Sequence, residues 1–275
     1  MQDDGLKWLH ESSVVIDAYN PKLLQPINRS SSRDKLSHLS FFGYDVWQAY
    51  EVSFLQPSGL PKVATLTFKL DTNSKQVVES KSLKLYLNSL NNHIFDSDES
   101  VYQTIKKDLA VIIGNDFELD ISYPPFPSNI DSLPFKDWFS IDQLNIDQLD
   151  AHTTPTAQML KLDLQSGQKT EKLYTQLFRA NCLVTNQPDW ATVLIEYHGA
   201  SWDKKSLLAY LLSYRNHQSF HEQCIDSIFS DITMSLKPDK LYIQANFMRR
   251  GGIDITPVRS SVKEFNYIHG RDWRQ

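Results

Sequence analysis

The sequence predicts an α+β fold made of two similar halves, and three observations carry that prediction. Residues 44–55 are a strand candidate, and residues 63–70 alternate apolar and polar side chains with β-branched enrichment, the period of a half-buried strand. From Ser82 the period changes, and Leu83, Tyr86, Leu87 and Leu90 recur at helical spacing. The same order of strands, then helices, then strands returns in the second half of the chain.

Taken in order, the first strand pair is joined by a turn holding Pro57, Ser58, Gly59 and Pro61. A second helix is predicted over 100–113, and a strand over 117–123 is stopped by Pro124 and Pro125. Arg29 to Lys35 is polar and reads as a loop or extended cover. In the second half, strands over 177–184 and 192–198 flank a turn at Asn186, Gln187 and Pro188. Helices follow over 204–214 and 220–236. Residues 240–248 alternate, with Leu241, Ile243, Ala245 and Phe247 on one face. Gly251-Gly252 then makes a hairpin turn into a strand over 253–258.

The second half therefore reads β-β-α-α-β-β and the first β-β-α-α-β, the pattern of an internal duplication. The likeness lies in architecture and is weak in residue identity. The expected division is an N-terminal extension (1–40), a first module (41–125), a connector (126–158) and a second module (159–275). The connector carries a small echo, Ile141-Asp142-Gln143-Leu144 against Ile146-Asp147-Gln148-Leu149.

Composition narrows the function classes. With 28 Lys+Arg against 33 Asp+Glu the net charge is −5, and no long basic block occurs, which argues against direct nucleic-acid binding. No apolar run reaches the ~20 residues of a membrane span, and residues 1–10 lack a signal-peptide pattern, so a cytoplasmic protein is expected. The two cysteines, Cys182 and Cys224, form no Cys-x-x-Cys motif and are not expected to pair in a reducing compartment. Glu196, His198 and His217 lack the spacing of a closed ligand set, so no metal site is expected. Neither a Rossmann fingerprint nor a P-loop is present.

Four segments carry candidate chemistry. Cys182 ends a strand and Asp189 begins the next, so a hairpin brings a thiol beside a carboxyl, as nucleophile and general acid require. The plainer reading is a small core residue and a turn residue. Glu79-Ser80-Lys81-Ser82-Leu83-Lys84 opens a helix, where cations, hydroxyls and free backbone N–H groups suit a phosphate; the alternative is a solvated helix start. Ser219 and Glu222 have the spacing of a capping box, against a ligand-binding role for Glu222 with His221. Cys224 falls on that helix's apolar face and reads as core. Arg249-Arg250-Gly251-Gly252 sits at a hairpin tip, where guanidinium groups and a close-approaching backbone suit a phosphate, although solvated turn arginines are commoner.

Together the segments ESKSLKLY (79–86), NCLVTNQPDW (181–190), FHE (220–222) and RRGG (249–252) resemble the 7-cyano-7-deazaguanine reductase (QueF) family in its long, two-module form. One departure is Leu183, where many members carry proline. The resemblance implies a tunnelling fold, with antiparallel sheets and helices packed on one side of each module, assembled as a homodimer. It implies NADPH-dependent reduction of the nitrile of 7-cyano-7-deazaguanine to 7-aminomethyl-7-deazaguanine, within queuosine modification of tRNA. By the same resemblance Cys182 forms a covalent thioimide and Asp189 is the general acid. His221 and Glu222, with Val78, Glu79 and Ser80, bind the substrate, and Ser80, Lys81, Arg250 and Gly251 hold NADPH. Such a site draws on both halves of the chain. Two rivals are a non-catalytic purine- or pterin-binding module and a pterin-type cyclohydrolase; the second needs zinc ligands that these cysteines do not suit.

Overall fold

Every strand and helix predicted from periodicity has a counterpart in the computed structural model, which describes residues 18–33, 36, 40–124, 134–144, 154–270 and 275. In chain order these are β1 (Pro26–Asn28), α1 (Ser30–Arg33), β2 (Phe42–Leu55), β3 (Pro61–Asp71), β4 (Gln76–Val78), α2 (Ser80–Ser89), α3 (Asp98–Ile113), β5 (Phe117–Ser122) and β6 (Phe139–Ser140). After them come β7 (Gln168–Cys182), β8 (Pro188–Ala200), α4 (Lys204–Ser213), β9 (Gln218–Ser219), α5 (His221–Leu236), β10 (Lys240–Phe247) and β11 (Ile253–Ser260). The fold is α+β. The polar stretch at 29–35 contains the short helix α1 rather than loop alone. Part of the proline-rich connector and the second half of its echo lie outside the described residues. No helix among the described residues is long and apolar enough to cross a membrane.

The described residues divide into two units. The first holds those up to Ser31, Val46–Ser128 and Arg249–Asp254; the second holds Ser32–Asp45, Asn129–Met248 and Ile255–Gln275. In the first unit β3 pairs antiparallel with β5 on one side and neighbours β2 on the other, and β1 pairs with β4. In the second the strand order is β11-β10-β8-β7-β6, antiparallel except for β6 on β7, and the two-residue β9 also joins β7 in parallel.

The second unit's core explains where its strand ends point. Leu173 of β7, the odd residues 191–197 of β8 and 241–247 of β10, and the apolar faces of α4 and α5 bury one another. Between Thr175 and Phe178 the β7–β8 register shifts by a bulge. An extra residue in one strand moves every later side chain to the opposite face. Beyond the bulge it is Phe178 and Ala180 that face the core. Alternation carries this helix-covered face on to Cys182, and on β8 back to Asp189.

The units also match residue for residue where the sequence alone gives a weak signal. Ser82, Leu83, Tyr86, Leu87, Ser89, Asn92 and His93 recur in the same spacing as Ser206, Leu207, Tyr210, Leu211, Ser213, Asn216 and His217. α2 and α4 are both ten residues long, and their N-caps Glu79 and Asp203 each accept from the second and third following backbone N–H. Tyr86 donates to Asp108 of α3 at 2.7 Å, and Tyr210 donates to Asp231 of α5 at 2.7 Å. The helix pairs of the two halves are thus pinned by the same buried tyrosine–carboxylate bond.

Candidate functional site

In the second unit the hairpin and the start of α5 converge. Ala180 pairs with Asp189 and Asn181 with Pro188, so β8 begins earlier than alternation suggests and Asp189 is a strand residue, not a turn residue. The loop between them is closed by Cys182 N–H donating to Gln187 O at 2.8 Å and Asn186 N–H to Cys182 O at 2.9 Å. Asn186 has φ of 55°, a left-handed conformation that asparagine tolerates. Its side-chain oxygen accepts from the amides of Asn181 and Gln218. On the other side β9 sets Ser219 beside Cys182 and leads directly into α5.

The first residues of α5 complete the arrangement. His221 Nε2 lies 3.3 Å from Asp189 Oδ2, and Asp189 is only 4% exposed. The imidazole stacks on Phe247, with ring centroids 4.0 Å apart and planes 10° from parallel. Phe247 of β10 pairs with Ala191 of β8 and fixes the ring's plane from below. Nδ1 of His221 is buried with no hydrogen-bond partner among the described residues. A buried donor or acceptor left this way costs about 1–3 kcal/mol, so a ligand that engages it gains that much in complementarity.

The capping box expected from Ser219 and Glu222 does not form. The helix N-cap is Phe220, and the Ser219 hydroxyl lies 3.4 Å from Gln223 Oε1 instead. The short β9 pairing holds Ser219 in extended backbone and moves the helix start by one residue, so Glu222 is a buried residue of the first turn. An acid there is favoured by the helix dipole.

The two cysteines differ in exposure. Cys182 is partly exposed at the strand end, whereas Cys224 is 1% exposed and burial pushes its thiol up to about 12. Iodoacetamide at pH 7.5 is therefore expected to alkylate Cys182 and spare Cys224, read by peptide mapping. Equal labelling of both in folded protein would contradict this contrast.

In the first unit the structure brings the 79–86 segment to the RRGG turn. Arg250 N–H donates to Ile253 O at 2.9 Å, and Gly251 and Gly252 have φ of 59° and 76°. That is a two-residue hairpin turn with both central residues left-handed, which glycine adopts without strain. A Cβ on Gly251 would stand 2.7 Å from Cδ of Lys84, so Lys84 of α2 lies against the turn. Lys84 also reaches Glu51 at 3.5 Å, and the Arg249 guanidinium covers the Tyr50 ring at 4.8 Å.

The free N–H groups expected at the start of α2 are occupied. Glu79 accepts from Lys81 N–H at 3.0 Å and from Ser82 N–H at 2.6 Å. Its carboxylate neutralises the helix end that would otherwise attract a phosphate. Any anion binding here falls to side-chain cations and the glycine turn. Val78 is buried. Ser80 is exposed and Lys81 half-exposed. A glycine cradle that a Cβ would fill, with Lys84 beside it and Arg250 and Lys81 carried by the same two segments, fits a phosphate-bearing cofactor by charge and space.

Comparison with known proteins supplies the remaining finding. A family profile described as "Nitrile reductase, 7-cyano-7-deazaguanine-reductase N-term" matches residues 15–121, and one described as "QueF-like protein" matches residues 188–266. The NADPH-dependent 7-cyano-7-deazaguanine reductase of Acinetobacter baumannii (strain AYE) is 44% identical over 249 residues, 89% of this chain and 89% of its own length. The enzyme of that name from Legionella pneumophila (strain Lens) is 43% identical over 259 residues, 92% of this chain and 89% of its own. Among solved structures, the apo form of the archaeosine synthase QueF-Like aligns over 36% of this chain and 97% of its own with 17% identity. Its TM-score of 0.31 is too low to support an argument.

Proposed function

The chain belongs to the NADPH-dependent 7-cyano-7-deazaguanine reductases, in the long form with N-terminal and C-terminal modules, and on that premise we propose which of its residues perform the reaction. The enzyme reduces the nitrile of 7-cyano-7-deazaguanine to an aminomethyl group, a step of queuosine biosynthesis. NADPH supplies the two hydrides, one for each C–N bond order removed.

The observation that carries the assignment is the strand end where Cys182 and Asp189 share the helix-covered face and Asp189 touches His221. Cys182 adds through sulfur to the nitrile carbon, and the proton balance is met at nitrogen, giving a thioimide with no atom lost. Asp189 delivers the proton to the nitrile nitrogen. His221, with Nδ1 otherwise unanswered, and Glu222 in the first turn of α5 hold the base; a carboxylate accepts two N–H groups of a guanine-like edge. Its place in the first turn of α5, beside His221, supports this role.

From the first unit, Val78, Glu79 and Ser80 are the proposed further substrate contacts. Ser80, Lys81, Arg250 and Gly251 are the proposed cofactor contacts, and Lys84 joins them because it lies against Gly251. The finer architecture is proposed with them: two tunnelling-fold modules (41–125 and 159–275) with an extension (1–40) and a connector (126–158), forming a cytoplasmic homodimer. The matched helix pairs support two modules of common plan.

The test is the decay of NADPH absorbance on mixing the protein with 7-cyano-7-deazaguanine. Wild type should oxidise NADPH only when the nitrile is present. Asp189→Asn, which keeps shape but cannot donate an acid proton, should turn over about 100- to 10,000-fold more slowly. Unchanged turnover in that variant would remove Asp189 from its role.

A further inference from the structure

The two units contain an internal control for the first turn of α5. α3 and α5 are both sixteen residues long, and each receives its unit's tyrosine hydroxyl on an aspartate at the same step, Asp108 or Asp231. Their N-termini are held differently. α3 has a complete capping box between Ser97 and Ser100, and its exposed Glu99 accepts from the Gln103 amide at 2.6 Å. α5 has Phe220 at the cap, which offers no side-chain bond. At the places of Glu99 and Gln103 stand Glu222 and Asp226, both buried.

Two acids four residues apart share a helix face and repel each other. Burying both demands compensation that α3 never needs. For Asp226 it comes from Arg259, a side chain with 0% exposure whose Nε donates to Asp226 Oδ1 at 2.6 Å and whose Nη1 donates to Asp45 at 2.8 Å. On its outer side Arg33 Nε donates to Asp226 Oδ2 at 2.8 Å. Burial alone would push the Asp226 carboxyl up, but the Arg259 and Arg33 guanidiniums outweigh it and hold the group below the usual range. A charged network therefore anchors the helix one turn beyond Glu222, where α3 relies on its cap.

We propose that Asp226, held by Arg259 and Arg33, is a positioning residue for the nitrile substrate, fixing the first turn of α5 so that Glu222 and His221 meet the base. The proposal rests on the reading of that turn as the base-binding element. α5 has no side-chain cap, and the anchor supplies the stability and the geometric definition that a cap provides.

The test is steady-state kinetics of the full chain, varying the nitrile and NADPH in turn, for Asp226→Asn and Arg33→Gln. The nitrile KM should rise about tenfold or more in Asp226→Asn and about two- to fivefold in Arg33→Gln. The NADPH KM should stay within about twofold, and Arg33→Lys should recover most of the loss. A nitrile KM unchanged in both variants, or both KM values rising together, would overturn the proposal and leave the network a scaffold. If Asp226→Asn does not fold, the half-exposed Arg33 carries the test by the same criteria. Wild-type turnover in the same assay separates the two levels: without it the reading of the reaction itself fails.

Discussion

Cys182→Ala is expected to abolish nitrile-dependent NADPH oxidation, by at least about 10,000-fold, without unfolding the protein. The magnitude follows from the chemistry. Without sulfur there is no covalent intermediate, and removing the nucleophile of an enzyme that works through one leaves only binding and electrostatics. The tolerance of the fold follows from the site. Cys182 closes β7 at a partly exposed strand end, and its backbone N–H and C=O, not its thiol, tie the loop through Gln187 and Asn186. Alanine keeps those bonds, so the expected loss of stability is below about 1 kcal/mol. The variant should still bind the nitrile, which equilibrium dialysis can check. Residual turnover above a hundredth of wild type would mean another group attacks the nitrile.

Arg259→Met should destabilise the second unit by about 3–5 kcal/mol, seen as a fall in the urea midpoint and a drop in Tm on the order of 10 °C. Methionine fills much of the volume but removes the guanidinium that both buried carboxylates, Asp45 and Asp226, bind, while Arg33 still reaches Asp226. The cost lies in burying those carboxylates without the cation more than in the lost attraction, so adding Asp45→Asn should return part of it. The pH dependence has a fixed sign. The folded Asp226 carboxyl titrates below its unfolded value near ~3.9, so its contribution is present above that pH and disappears as the solution is acidified through the folded value. Wild-type stability should therefore fall in that acid range more steeply than that of Asp226→Asn. Equal slopes would contradict the assignment.

Elements were legible in the sequence wherever one period ran long enough. The alternation of Leu241, Ile243, Ala245 and Phe247 predicts β10, and Gly251-Gly252 predicts its turn. What was not legible came from interactions between segments. Alternation alone cannot locate the bulge between Thr175 and Phe178, yet the bulge decides which face Cys182 takes. Ser219 and Glu222 satisfy the capping-box spacing, but a two-residue strand pairing at Ser219 displaces the helix start. Phosphate affinity at the start of α2 was read from its lysines, while Glu79 takes the backbone N–H groups. The recurrence of Ser-Leu-x-x-Tyr-Leu-x-Ser between α2 and α4 stands in plain sequence, and it becomes conspicuous once the two helices are seen to share a length and a cap. Arg33, Asp226 and Arg259 lie too far apart in the chain for any spacing rule to join them. The signals were an arginine in β11, a strand buried along its whole length, and an aspartate on the buried face of α5.

The covalent role of Cys182 is tested most directly by intact-protein mass spectrometry after mixing the enzyme with 7-cyano-7-deazaguanine and no NADPH. The protein should gain the full mass of one nitrile molecule per chain, since addition of a thiol across C≡N expels nothing, and digestion should place the adduct on the peptide holding Cys182. Folded protein that gains no mass, or that carries the adduct on Cys224, would contradict the thioimide and with it the assignment of the nucleophile.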